Sequence, residues 1–306
     1  MNTHWPIRRF TAWLFILALF AGPALAAPTF DWETAKEPLP GIRVIKRKYP
    51  RPRLMRVAVM RIDLDTPGLH FVTTGRDADW GKPMPDHPGI MVATKRITTA
   101  EFMTRANRVP GKRRLMVAAF NASPWIPWEK PFTHRYGEPL GMNVSNGKVV
   151  SDNHPELPAL VVWKNGKIEI VPKLDRKKTG RIREAVSGFC MIADHGRLLP
   201  DAGYSKSPMP RMAYGLSKDR RYLYVIAVDG RQKKWSLGAT GAEAGKILLD
   251  AGAWDVINMD GGGSATLCYW DKKKKQPIVL NRHNAKGYLR PVGSNVGVML
   301  DVPFGR

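Results

Sequence analysis

The chain has 306 residues, 43% of them hydrophobic, and its 49 Lys and Arg against 26 Asp and Glu give a formal net charge of +23. A surplus of that size favours anionic partners such as phosphorylated glycans, lipid headgroups or nucleic acid. The basic runs 43–56, 173–183 and 272–275 lack the interleaved aromatics of a single-strand binder, so nucleic acid is not expected. The sequence contains no C-x-x-C, H-E-x-x-H or EF-hand loop. No zinc or calcium site announces itself and no cofactor is expected; a divalent cation is left open but not indicated.

The first 26 residues read as a secretory signal peptide: Arg8 and Arg9, an apolar run over 10–20, then Ala24-Leu25-Ala26 as the cleavage site. The expected location is the periplasm or the exterior. No later stretch is long and apolar enough to span a membrane. Cleavage leaves roughly 280 residues, enough for one large domain or two small ones. Residues 27–53, rich in Pro and Arg, read as an extended N-terminal lead-in, and 54–306 as one domain. Cys190 and Cys268 permit one disulfide in an oxidising compartment, or two buried thiols.

Residues 53–65 alternate apolar and polar, a strand pattern, and Pro67-Gly68 turns the chain into 69–73 as a hairpin. Residues 77–89 form a loop carrying Trp80 and His87. Thr98-Thr99-Ala100-Glu101 is a capping box that opens a helix, ended by Pro110-Gly111. A buried strand over 115–120 runs into Asn121. The following loop holds Trp125, Trp128, Phe132, His134 and Tyr136 among prolines, either a sugar-stacking lid or a small core of its own. Asn146-Gly147 and Asn165-Gly166 are hairpin turns, and 185–192 and 212–216 are further short strands.

Tyr222 to Val228 reads as a strand ending at Asp229-Gly230-Arg231. Thr240-Gly241-Ala242-Glu243 is a second capping box, and its helix ends at Gly252. The apolar run 256–259 is the next strand and stops at Asp260-Gly261-Gly262-Gly263-Ser264. Strand, helix and strand make a βαβ unit. If its strands are parallel, Asp229 and Asp260 meet at one sheet edge, where α/β sheets bind ligands. Three successive glycines suit a bend that a ligand approaches closely, with bare N–H groups available to an anion. A plain hairpin between 256–259 and 264–270 would explain the same glycines. The fold class is α+β: a single strand-rich, mixed-sheet domain whose βαβ unit leads into the Asp-Gly-Gly-Gly-Ser turn.

In this order the landmarks resemble the phosphodiester glycosidase family. They are Ala118-Ala-Phe-Asn121, Gly137-Glu-Pro-Leu-Gly141, Pro210-Arg211-Met-Ala213, Val228-Asp-Gly-Arg231, Asn258-Met-Asp-Gly-Gly-Gly-Ser264-Ala-Thr266, Asn281 and Arg290-Pro-Val-Gly-Ser-Asn295. The resemblance covers roughly 54–302. It departs from the family pattern at Asn121-Ala-Ser-Pro-Trp125 and at Met212. It implies hydrolysis of the C1–O bond of a sugar-1-phosphodiester, or of a phosphorylated glycan carrying one. Asp260 would act as nucleophile or base, Asp229 as its partner or orienter, and Arg211 as the group that neutralises phosphate. Asn121, Gly261, Gly262, Gly263, Ser264, Thr266 and Arg290 would bind substrate. Two rivals stand beside this reading: a non-catalytic binder of anionic glycans, and a phosphodiesterase that breaks the P–O bond.

Overall fold

A computed structural model describes residues 30–301, apart from 110, 112, 130–132, 202–205 and 284–287. The signal-peptide reading lies outside these residues. Among them, no helix is long and apolar enough to cross a membrane.

The large sheet has eight strands, in the spatial order Lys36–Leu39, Ile42–Tyr49, Met55–Asp63, Tyr222–Val228, Arg211–Leu216, Asp255–Asn258, Cys190–Asp194 and Arg197–Leu198. Residues 36–49, expected as a lead-in, are thus two of its strands, and Trp32 Nε1 ties the segment before them to Ala251 O at 2.8 Å. A second sheet of five strands runs in the order Gln276–Val279, Leu267–Asp271, Arg114–Asn121, Asn295–Asp301, Leu69–Thr73. A third, also of five strands, includes the two Asn-Gly hairpins.

Alternation along each strand decides what lies between these layers. Ile42, Val44, Met60, Ile62, Met212, Tyr214, Leu223, Val225 and Ile257 face the second sheet and form one core with Phe71, Phe120, Leu267 and Val298. Their sequence neighbours Ile45, Val57, Val59, Ala213, Tyr224, Ile226 and Val256 pack on the opposite face against Ala244, Ile247, Leu248 and Ala251. Those last four lie on helix α2, Gly241–Ala251, whose Thr240–Glu243 capping box is complete and whose end is a left-handed Gly252. Period two in the strands and period 3.6 in the helix thus serve the same interface.

Three expectations change. Every strand pairing among the described residues is antiparallel, so the sheets are not mixed by direct pairing. The Tyr222–Val228 and Asp255–Asn258 strands do run the same way around α2, but with Arg211–Leu216 between them, antiparallel to both. Pro67-Gly68 does not close a hairpin: Met55–Asp63 belongs to the large sheet and Leu69–Thr73 to the second, so this turn carries the chain from one layer to the other. The glycine run is no hairpin either, since the strands on its two sides lie in different sheets.

Candidate active site

Asp260 sits where the two principal sheets are stitched together. The Asp255–Asn258 strand is buried along its whole length in the large sheet. At its end the Asp260 N–H donates to Ala122 O at 3.0 Å, and the Asn121 side-chain amide donates to Asp260 O at 2.7 Å. The other half of that amide, Asn121 Oδ1, accepts from Thr266 N at 2.9 Å. Asn281 repeats the device beyond the bend, accepting from Leu267 N at 3.0 Å and donating to Ala265 O at 2.8 Å. Two asparagines therefore replace the ladder bonds that the chain gives up in passing between layers, as buried backbone groups require.

The three glycines answer to three separate constraints. A Cβ on Gly261 would lie 2.7 Å from Pro210 O, Gly262 has φ +59°, and a Cβ on Gly263 would lie 2.5 Å from the Arg290 guanidinium. Only Gly262 needs glycine's backbone freedom; its neighbours need the missing side chain. The Gly262 N–H is bonded to Pro210 O at 2.9 Å, so it is not available to an anion.

A cavity of about 350 Å³ opens over this bend, lined by Asp260, Arg211, Arg231, Arg290, Phe189 and Trp128 together with the glycines. The Asp260 residue is 2% exposed. Burial pushes its carboxyl up to about 7, against the pull of the Ser264 hydroxyl, the Arg290 charge and the Trp125 indole. Asp260 Oδ2 and Ser264 Oγ lack a partner in full hydrogen-bond geometry, so this contact is close but unfinished. Arg211 is buried, its Nε donating to Ala239 O at 3.0 Å and its Nη2 to Ser207 O at 3.2 Å. Burial lowers the pKa of both Arg211 and Arg290, and the Arg231 charge lowers each further. Three guanidinium groups around one cavity, one of them repelling the other two, make an anion site.

A family model described as phosphodiester glycosidase matches residues 125–299, more than half of the sequence. The chain belongs to the phosphodiester glycosidase family. Among solved structures, the catalytic domain of zebrafish N-acetylglucosamine-1-phosphodiester alpha-N-acetylglucosaminidase, auto-inhibited by its pro-peptide, is similar in fold, with TM-score 0.57 and 16% identity over 88% of this chain and 86% of that one. A hypothetical protein from Synechocystis gives TM-score 0.58 at 12% identity; 85% of this chain is covered but only 62% of that protein. A putative exported protein from Burkholderia pseudomallei gives 0.56 at 12% identity, covering 80% and 74%. No curated protein sequence matches.

In this phosphodiester glycosidase-family chain the expected residues divide into two groups. Asp260, Arg211, Gly261, Gly262, Gly263 and Arg290 share the cavity. Asn121 and Thr266 do not line it: Asn121 is spent on backbone and Thr266 Oγ1 donates to Ser264 O at 3.1 Å, so both shape the bend from behind. Ser264 is fully buried and acts on Asp260, outside the cavity lining. Asp229 lines a different cavity. Its Oδ2 accepts from Trp235 Nε1 at 2.6 Å and its Oδ1 from Arg282 N at 2.7 Å, which pins the 229–237 loop. The intervening strand separates the two aspartates, and Asp229 at 6% exposure has both oxygens engaged. Among the described residues, Asp260 is the one carboxylate lining its cavity.

The sequence reading assigned no role to Arg231, Phe189 or Met209. Arg231 was within reach, since it closes the Val-Asp-Gly-Arg landmark, and its φ of +59° marks it as held in an uncommon backbone conformation. In the aromatic loop, Trp128 lines the cavity and is 60% exposed, whereas Trp125 is buried. Asp194, His195 and Asp255 could together reach a cation, but they lie at the opposite end of the Asp260 strand, and Asp255 is already ion-paired to Arg220. Cys190 and Cys268 form no disulfide and stand one in each principal sheet.

Proposed function

We propose that this is an exported hydrolase that breaks the C1–O bond of a sugar-1-phosphodiester, releasing free sugar and a phosphomonoester. The observation that carries this is a single buried carboxylate sharing a cavity with three arginines. Ordinary glycosidases need a second carboxyl group to protonate the departing oxygen. A phosphomonoester, with its second pKa near 6, departs as an anion at neutral pH and needs only charge neutralisation. Arg211, Arg231 and Arg290 supply that electrostatically, in a site where it requires no reorganisation. Asp260 then acts on the anomeric carbon, as nucleophile or as base for the attacking water. As the C1–O bond breaks, its electron pair stays on the phosphate oxygen. Trp128 offers an aromatic face to the sugar. Asp229 serves indirectly, holding the loop that brings Arg231 to the cavity.

Hydrolysis in ¹⁸O-water tests this. The label is expected in the sugar; label in the phosphate would mean P–O cleavage, and binding without release would mean a non-catalytic glycan binder. The pH profile follows from the same carboxyl. Its working form is ionised and its pKa is about 7, so kcat/KM is expected to rise with pH through about 7 and level off above. A profile flat from pH 5 to 8 would remove Asp260 from the chemistry.

A further inference from the structure

The second cavity, about 410 Å³ on the other side of the 229–237 loop, is lined by Lys46, Lys48, Arg56, Arg282, Asp229 and Trp235 among others. Strand periodicity explains how the cations reach it. Ile42 and Val44, and Ile62, Met60 and Ala58 on the neighbouring strand, point into the core between the principal sheets. The next positions on the same faces are Lys46 and Lys48 on one strand and Arg56 on the other, so the buried face ends in charge. The antiparallel register sets Lys48 directly opposite Arg56. Like charges in that position destabilise a strand pair, and nothing in the pairing itself requires them.

The surrounding protein offsets them only in part, through the single negative charge of Asp229, which Lys46 and Arg56 both feel. Lys46, Lys48, Arg56 and Arg282 make no ion pair among the described residues. The Arg56 guanidinium lies 3.7 Å, and that of Arg282 4.8 Å, from the Trp235 ring centroid, which fixes their positions without using their hydrogen-bond donors. Arg56 Nε is buried without a hydrogen-bond partner. Asp229, the one carboxylate lining this cavity among the described residues, already accepts from Trp235 and from the Arg282 backbone.

The 229–237 loop is the wall between the two cavities. Trp235 N and Ser236 N both return to Gln232 O, at 2.9 and 2.8 Å, so the loop is tight. Arg231 lines the Asp260 cavity and Trp235 lines the other. They stand four positions apart, so their Cα atoms are at most about 14 Å apart, a reach of one or two sugar-phosphate units.

We propose that the second cavity holds a neighbouring phosphate of the substrate, which is therefore a glycan chain with repeated sugar-1-phosphodiester links and not an isolated diester; this rests on the reading of the Asp260 cavity given above. Arg56 and Arg282 grip the phosphate oxygens, and Lys46 and Lys48 close over them from the exposed end of their strand.

The test compares a single sugar-1-phosphodiester with a synthetic trimer of the same repeat. Wild-type kcat/KM is expected to be about tenfold or more higher for the trimer, equivalent to one or two charge-assisted contacts. The double variant Lys46→Gln/Lys48→Gln, altered only at exposed side chains, is expected to lose that preference and keep single-diester turnover within about twofold. Arg282→Gln should do the same. Equal turnover of both substrates by the wild type, or an unchanged preference in the variants, overturns the second site and leaves the hydrolase reading standing. If neither substrate is cleaved, that reading fails, and calorimetric titration of the trimer decides the cavity alone: binding weakened tenfold by Lys46→Gln/Lys48→Gln upholds it, and binding unaffected by the variant, or absent, overturns it. Inorganic phosphate is titrated in parallel. Should it bind as tightly as the trimer and be lost in the same variant, the cavity serves free phosphate and the polymeric substrate is refuted.

Discussion

Asp260→Asn is expected to lower kcat/KM by at least about 10³-fold while leaving the protein more stable than the native chain at pH 8. The first effect follows from removing the carboxylate that acts on the anomeric carbon, a change that preserves shape and abolishes charge. The second is worked out from linkage. Folding raises the Asp260 pKa to about 7 from its ordinary value of 3.8, so between these values the folded state holds a proton that the unfolded chain has released. Stability from this group is present below pH 4 and is lost as pH rises to about 7. At pH 8 the buried charge costs the native fold on the order of 4 kcal/mol, which the asparagine does not incur. Denaturant melts at pH 5 and pH 8 measure this, with the advantage of the variant appearing mainly at the higher pH. A variant that retains a tenth of native activity, or one less stable at pH 8, would contradict the role given to Asp260.

Arg290→Gln is expected to cost about 10²–10³-fold in kcat/KM, the range found when a preorganised charge-stabilising donor is removed. Arg290 lies over Gly263 at a distance that admits no Cβ, and its charge is among the influences holding the Asp260 pKa down. Its loss therefore acts twice, on the departing phosphate and on the carboxylate. The second action has its own signature: the rising limb of the pH profile should move to higher pH. A fall in kcat/KM with an unmoved limb would separate the two groups and leave Arg290 as a phosphate contact alone.

Much of this site was legible in the residues. Val256 to Met259 announced a buried strand, the carboxylate and glycines after it announced a bend, and the capping box at Thr240 with Gly252 fixed the helix between. What the pattern did not carry was layer membership. Pro67-Gly68 looks like a hairpin turn because a turn's chemistry is local, whereas the choice of sheet depends on partners over 200 residues away, such as Val296 opposite Thr73. The pairing of Asp229 with Asp260 failed for a related reason. Both end strands running the same way, but Arg211–Leu216, earlier in sequence than either, inserts between them, and nothing in the βαβ segment signals that insertion. Asn121 illustrates a third kind of miss. A polar residue closing an apolar strand beside a presumed site invites a ligand role, but its amide is complementary to backbone on both sides, a fact visible only once the two sheets meet.

The lone acid has a consequence for what the protein leaves alone. An ordinary glycan linkage departs as an alkoxide, which water near neutrality will not accept without a donated proton, and among the described residues no second acid lines this cavity to donate one. On the function proposed above, discrimination between a phosphate-linked sugar and an alcohol-linked one rests on the chemistry of bond breaking, before any hydroxyl group is recognised.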